Sequence, residues 1–443
     1  MFKLKPYICT KSYKLVNSNF ISYIENAITC DNYVLSGEIS VLWQFIVDNQ
    51  NYNDIFNYAK KHNLQNILKD FLSELKDNDI IDTDIALPKP KSNYLNFKVN
   101  RRAKAFNTFL QVKKNIFSYH NFLEDIALNL NYTCNLNCRH CCNFKDMHEQ
   151  MNYEDAKRIV DEAYELGAYS ITLTGGECTL NKDLIKIAKY IREKHLALKI
   201  LTNGQIPADN DDIFNELVSW YPIEVQVSLY SMNPEIHDNL TTVKGSHQKL
   251  IKFINKLAKT KTHTNITCVQ TSYNPQSYME VEKFAKSVNA EFGTSCLFQF
   301  NPKNDNLNAK LSKEDIEQFY INTIDINNLR EGCLYCTGGL DRIAVMPNLD
   351  VNPCNYCYYS IGNLHNTTLK EIRNTAVIQF HKKLKQENLT ECYKHDYCKY
   401  CEYCPIFNSY LDDSLLKKSE ILCEDAKAYQ KAVLYLKNKD KQV

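Results

Sequence analysis

With 443 residues the chain is long enough for two or three domains and a large core. Its 53 Lys and Arg against 52 Asp and Glu leave a net charge of +1, which gives no reason to expect nucleic acid or a membrane surface as a partner. The N-terminus, Met1-Phe2-Lys3-Leu4-Lys5-Pro6, lacks the apolar run of a signal peptide and no stretch has the length of a membrane span, so a soluble cytoplasmic protein is expected.

Residues 1–85 read as a small domain. Ser12 to Val16 and Asn32 to Leu35 have the look of short strands. Ile39, Leu42, Trp43, Ile46 and Val47 recur at helical spacing, and so do Leu64, Ile67, Leu68, Phe71, Leu72 and Leu75. Ile80-Ile81 follows as a further strand. Strands beside a compact set of helices suggest a winged helix. Residues 86–120 read as a basic linker: Leu87-Pro88-Lys89-Pro90 breaks structure, and from Lys89 to Lys114 there are eight Lys or Arg and no acid. A solvated connector is expected, with contact to an acidic peptide as the alternative.

From Asp125 to Phe300 strand and helix alternate. Strands are predicted at Ile126–Asn131, Ser170–Thr174, Leu198–Thr202, Glu224–Leu229, Asn265–Gln270 and Cys296–Phe300. Helical patterns lie between them, as in Tyr153–Leu166 with Ala156, Ile159, Val160, Ala163 and Leu166 on one face. Six βα repeats imply a parallel sheet with right-handed crossovers, so the fold class is α/β, a partial (β/α)6 barrel over residues 121–325. Loops at the C-terminal strand ends carry the chemistry of such folds. Residues 326–443 have weak periodicity and dense cysteine, which suggests a core that depends on metal clusters as well as on apolar burial.

The first predicted strand runs into Cys134-Asn135-Leu136-Asn137-Cys138-Arg139-His140-Cys141, a C-x3-C-x2-C loop. Three thiolates on one loop can grip three corners of a cubane iron–sulfur cluster. Cys142 adjoins Cys141 and is expected to point away, so one iron stays open, as in a catalytic metal site. A zinc knuckle is the alternative reading of these cysteines alone. Eighteen cysteines, nine of them between Cys333 and Cys423, favour ligation over disulfides in a reducing cytosol. The isolated Cys9, Cys30, Cys178, Cys268 and Cys296 are expected to be small buried hydrophobes.

The second predicted strand ends in Thr174-Gly175-Gly176-Glu177, where two glycines let backbone approach a ligand and a carboxylate can accept from an ammonium group. The third ends in Thr202-Asn203-Gly204, and the fourth carries Ser228, all on the rim of the cysteine loop. Residues 125–300 thereby resemble the radical S-adenosylmethionine (radical SAM) superfamily. The resemblance rests on the cysteine triplet, Gly175-Gly176-Glu177 and Val227-Ser228-Leu229. It implies a 4Fe–4S cluster on Cys134, Cys138 and Cys141, with SAM chelating the open iron. Gly175, Gly176 and Glu177 would hold the SAM amino group, and Ser228 and Asn203 its ribose or carboxylate. Reductive cleavage would then yield a 5′-deoxyadenosyl radical that takes hydrogen from an unactivated carbon, with no side-chain acid or base required. The position before the third cysteine, often aromatic in the family, is His140, which is expected to pack on the cofactor.

The C-terminal cysteines Cys333, Cys336, Cys354, Cys392, Cys398, Cys401, Cys404 and Cys423 resemble the SPASM extension of this superfamily, which implies two auxiliary 4Fe–4S clusters. Val351-Asn352-Pro353-Cys354, Ile361-Gly362-Asn363-Leu364 and Cys401-Glu402-Tyr403-Cys404-Pro405 are typical of it. Against the family's C-x2-C-x5-C-x2/3-C run, His395 stands where a cysteine is expected. Either His395 is a ligand or nearby Cys398 replaces it, the thiolate being the usual choice. Leu349 stands where a glycine is usual, and Cys357 is open either way; structural zinc is the alternative for the region.

The N-terminal region resembles the PqqD-like peptide-recognition module, through Tyr33-Val34-Leu35, the Trp43 helix and the helix–strand pair Leu64–Ile81. Such a module would take a leader peptide as an added β-strand. The combined resemblance implies a peptide maturase acting on a ribosomally made precursor with a leader, supplied with electrons by a flavodoxin or ferredoxin. Thioether cross-linking stands first among products. The alternatives are a Ser or Cys oxidase of the sulfatase-maturing type and a non-enzymatic zinc-binding adaptor.

Overall fold

The computed structural model describes residues 2–15, 19–49, 51–100, 122–143, 147–297, 301, 304, 306–330, 336–355, 359–384, 395–402, 404–405 and 419–440. Of the predicted site residues, Cys333, Cys357 and Cys392 lie outside the described residues, as do the linker positions 101–121.

Near the N-terminus β2 (Ile8–Lys14), β3 (Phe20–Asn26) and β4 (Asp31–Ser36) form an antiparallel sheet, and β1 (Phe2–Leu4) pairs with β5 (Ile81–Thr83). Three helices follow β4: α1 (Gly37–Asp48), α2 (Tyr52–Lys61) and α3 (Gln65–Asp77). Their apolar stripes meet Tyr33 and Leu35 in one core around Trp43, which is fully buried and donates its indole N–H to Thr10 Oγ1 at 2.9 Å. This is the expected compact set of strands and helices. One expectation is corrected. The segment read as a solvated connector contributes β6 (Asn96–Asn100), which pairs antiparallel with β4 across a bulge at Asn32/Val34. Composition concealed it, because pairing to an open sheet edge needs backbone and not an apolar pattern.

The second sheet runs β12-β11-β10-β9-β8-β7-β13-β14-β15. Its first six strands are parallel: β7 (Asp125–Asn129), β8 (Ser170–Thr174), β9 (Ala197–Thr202), β10 (Glu224–Ser228), β11 (Thr264–Val269) and β12 (Glu291–Ser295). Intervening helices cover it and make a partial barrel. The helix Tyr153–Glu165 shows why they form: Asn152 caps it by accepting from the Asp155 amide, acids occupy its first turn, and Ala156, Ile159, Val160 and Ala163 are buried. Burial of each such aliphatic side chain in this core contributes roughly 1.5–3 kcal/mol. The sixth strand lies at Glu291–Ser295, a half-exposed edge strand that carries little apolar signal; of the predicted Cys296–Phe300, positions 298–300 lie outside the described residues.

The cysteine-rich region extends the same sheet. β13 (Arg342–Val345) runs parallel to β7, and β14 (Asp350–Asn352) and β15 (Gly362–Asn363) follow antiparallel. A helix at Glu420–Asp440 packs on the helix Lys313–Thr323. No helix among the described residues is long and apolar enough to cross a membrane.

The N-terminal sheet meets the base of the barrel along β2. The Thr10 amide donates to the His195 carbonyl at 2.9 Å, and Arg192 donates to the carbonyls of Pro6 and Ile8. Tyr13 and Tyr23 pack with Tyr169, Ala197 and Ile223, and Tyr169 Oη donates to Glu25 at 2.9 Å. The β2 edge of the sheet therefore meets the barrel, and β6 forms the opposite edge in the strand order.

Candidate active site

The loop that follows β7 lies at the C-terminal end of the strands, over a cavity of roughly 260 Å³. Cys134, Cys138 and Cys141 border it together with Gly175, Gly176, Glu177, Asn203 and Ser228, so every site residue predicted on the barrel converges there. Cys142, expected to turn away, borders the same cavity.

Hydrogen bonds from both sides hold the cysteine loop. The helix Pro234–Thr241 accepts the Asn137 and Arg139 amides at Thr241 and Leu240, and Asn239 takes the Arg139 guanidinium. On the other side Asn301 Nδ2 donates to the Cys142 carbonyl at 2.8 Å, Asn304 Nδ2 to the Cys141 carbonyl at 2.9 Å, and Asn306 Nδ2 to the His140 carbonyl at 3.1 Å. Nothing in the periodicity marked these asparagines, because they act on backbone oxygens of a loop more than 150 residues away.

The glycine pair, which borders the cavity, also lets two stretches of backbone meet. A Cβ on Gly176 would stand 2.3 Å from the Thr133 carbonyl and 2.4 Å from that of Tyr132, and Gly175 has φ +138°. The turn after β8 thus presses on the backbone that leads into the cysteine loop, with Gly176 N donating to the Asn131 carbonyl at 2.7 Å. Glu177 is also committed. It is 1% exposed, and Oε1 accepts from the Thr179 amide (3.0 Å), Thr179 Oγ1 (2.6 Å) and Thr202 Oγ1 (2.7 Å), while Oε2 accepts from the Asn203 amide (2.7 Å). Its carboxylate ties the ends of β8 and β9 together, which leaves little more than an Oε2 lone pair for an ammonium group.

Asn203 continues this chain of contacts, donating through Nδ2 to Asn135 Oδ1 at 2.7 Å and lying 3.6 Å from Cys134 Sγ. The Leu136 amide also points at Cys134 Sγ, at 3.4 Å. Desolvation in the site pushes the Cys134 thiol up to about 11, with the Leu136 amide working against it. A thiol in that setting becomes a thiolate by giving its proton up to a metal. Three sulfurs on one loop with amide donors aimed at a sulfur fit the anionic, thiolate-bound cluster that the spacing predicts.

Gln226, Tyr230, His237 and Asn355 are among the residues bordering the cavity that the motifs did not mark. Gln226 was within reach, since alternation on β10 puts it on the Ser228 face. Tyr230 packs between His140 and His237, with ring centroids at 4.8 and 5.4 Å. His237 accepts the Tyr230 amide at Nδ1, and burial first and His247 second push its pKa down to about 3, so it stays neutral. Together these rings form an aromatic wall beside the cysteines. Asn355, next to Cys354, accepts from Asn129 Nδ2 at 3.1 Å and brings that part of the C-terminal region to the rim.

Among the other predicted cluster ligands, Cys336 takes the Gly338 amide at 3.4 Å, and a Cβ on Gly338 would touch both Cys336 Sγ and Pro353. Cys398 lies within the 3₁₀ turn Asp396–Tyr400 and Cys401 caps its end, the Cys401 amide donating to the Cys398 carbonyl. The His395 ring stacks on Tyr397 at 4.9 Å. Cys401 and Cys404 pack against Leu422, next to the buried Cys423. The five isolated cysteines are all buried, as expected.

The family model of the Radical SAM superfamily matches residues 128–286, and that of SPASM, an iron–sulfur cluster-binding domain, matches residues 336–405. A Methanocaldococcus jannaschii protein named for glycyl-radical enzyme activation is 32% identical over 178 residues, 39% of this chain and 71% of that protein. The antilisterial bacteriocin subtilosin biosynthesis protein AlbA of Bacillus subtilis is 24% identical over 296 residues, 62% of this chain and 65% of that one. The chain thus spans just under two thirds of AlbA. The fold is shared with Streptococcus suis SuiB, solved bound to its precursor peptide SuiA, at a TM-score of 0.56 and 17% identity over 96% of this chain and 100% of that chain.

Proposed function

The chain belongs to the radical SAM superfamily, with a SPASM domain behind its barrel, and on that premise we propose that it modifies a ribosomally made precursor peptide, forming a thioether cross-link. The observation that carries the chemistry is the convergence of Cys134, Cys138 and Cys141 with the Gly175–Glu177 turn, Asn203 and Ser228 on one cavity. Two named similarities favour a peptide substrate: AlbA serves subtilosin biosynthesis, and SuiB was solved with a precursor peptide.

In this reading the three cysteines hold a 4Fe–4S cluster. When bound, the cluster and SAM together supply a 5′-deoxyadenosyl radical able to take hydrogen from an unactivated carbon. The chain's own part is placement and exclusion. Glu177 fixes the turn and Asn203, Ser228 and Gln226 offer polar contacts to SAM. The wall of His140, Tyr230 and His237 keeps water from the reacting carbon. Cys333, Cys336, Cys354, Cys392, Cys398, Cys401, Cys404 and Cys423 would hold two auxiliary clusters, which would supply an acceptor for the second electron. Cys398 serves in preference to His395, whose ring is stacked on Tyr397. A flavodoxin or ferredoxin supplies the first electron. The leader peptide adds a strand on the β6 side of the N-terminal sheet, because the β2 edge meets the barrel.

The test is anaerobic mass spectrometry of a cysteine-bearing precursor peptide encoded beside the protein, incubated with the reconstituted enzyme, SAM and dithionite. The expected product has lost two hydrogens and one free thiol, and only when the leader is attached. Conversion of a Ser or Cys to an aldehyde without need of a leader would replace this reading with the sulfatase-maturing type.

A further inference from the structure

The opposite end of the barrel holds a second cluster of ligand-type side chains. In parallel strands alternate residues share a face. Gln226 and Ser228 line the cavity, so Glu224, two residues before Gln226 on β10, faces the barrel interior at its floor. The next strand continues the pattern. His263, two residues before Asn265, precedes β11, and its carbonyl accepts from the Val225 amide at 2.9 Å. Glu291 opens β12 in register with Asn265. One ligand atom from each of Glu224, His263 and Glu291 lies within 4.8 Å of the other two. His263 is 1% exposed and its Nε2 is 3.2 Å from Glu291 Oε1, while the Glu291 side chain is 42% exposed. Lys199, the register partner of Glu224 on β9, stands 3.4 Å from Asp125. Two carboxylates and a buried imidazole drawn this close from three successive strands form a donor set that one cation can share.

We propose that Glu224, His263 and Glu291 bind one divalent first-row transition cation, and that the ion pins the edge strand β12 to the barrel. The donor set is two carboxylate oxygens and one imidazole nitrogen with no sulfur, which suits Mn²⁺, Fe²⁺ or Zn²⁺ with water in the remaining positions. Partial exposure of Glu291 gives the ion and its waters a way in. The role follows from topology. Among the described residues β12 pairs in the sheet with β11 alone, and the chain beyond it carries Asn301, Asn304 and Asn306 to the cysteine loop. An ion at the start of β12 therefore steadies the strand from which that latch extends. The site uses none of the cluster cysteines, and the inference stands apart from the reading of the peptide substrate.

The experiment titrates Mn²⁺ into the full chain with its iron–sulfur clusters reconstituted, under argon, and follows the loss of the free-ion EPR signal. Manganese is the probe because it prefers oxygen and nitrogen to thiolate and so avoids unfilled cysteine sites. One Mn²⁺ per chain is expected, with affinity falling at least about tenfold in both Glu224→Gln and Glu291→Gln while iron content and circular dichroism stay as in the parent. The thermal midpoint should rise on Mn²⁺ addition in the parent and stay unmoved in the variants. His263→Gln should also lose the ion; if that buried change prevents folding, the two glutamate variants decide. No Mn²⁺ uptake, or uptake unchanged in both glutamate variants, overturns the site.

Discussion

Cys138→Ala is expected to leave the chain folded but without iron at the barrel, and to lower reductive SAM cleavage by about a thousandfold or more. Three sulfurs on one loop hold the cluster in the proposed function, and two cannot retain a cubane whose fourth iron must stay free for SAM. Cys142 borders the cavity but adjoins Cys141, so it is poorly placed to stand in for a ligand four residues from Cys134. The measurement is iron content, the cluster's visible absorption and 5′-deoxyadenosine release, on a variant whose circular dichroism matches the parent. A variant that keeps parental 5′-deoxyadenosine release would take Cys138 out of the ligand set.

Gly176→Ala should be nearly as damaging by a different route. The added methyl meets two backbone carbonyls, those of Thr133 and Tyr132, at 2.3 and 2.4 Å. Neither can rotate aside, so the turn after β8 has to withdraw from the cysteine loop. Withdrawal strains the bonds from Gly176 N to the Asn131 carbonyl and from Glu177 N to the Thr133 carbonyl. Overpacking of this kind costs roughly 1–3 kcal/mol, and the loss falls on the strand-end contacts that would shape the SAM site. SAM affinity is expected to drop at least about tenfold, by equilibrium binding to the reconstituted protein. Undiminished affinity would mean that the two loops need not touch.

How far the sequence reached follows from what each residue contacts. Ser170–Thr174 was located to the residue because a run of five buried positions between breakers has no competing helical reading. The cysteine loop and the residues after β8, β9 and β10 were legible because they sit at fixed places after strands, and strand ends share one rim. Glu177 was legible as important, but the protein contacts its carboxylate makes were not. A carboxylate that joins Thr179, Thr202 and Asn203 looks the same in sequence as one awaiting an ammonium group. β6 was invisible, since its partner is a sheet edge. β12 was missed, since Glu291-Phe292-Gly293-Thr294-Ser295 offers no apolar face to detect. The Asn301, Asn304 and Asn306 latch had no signal, because asparagines that serve a distant backbone follow no period.

One assay reaches the centre of the account: the oxygen-free, iron-reconstituted chain is reduced with dithionite, given SAM, and its 5′-deoxyadenosine is measured by chromatography. Steady release from brown, iron-rich protein is the predicted result. A colourless preparation that holds zinc in its cysteines and leaves SAM intact would contradict it.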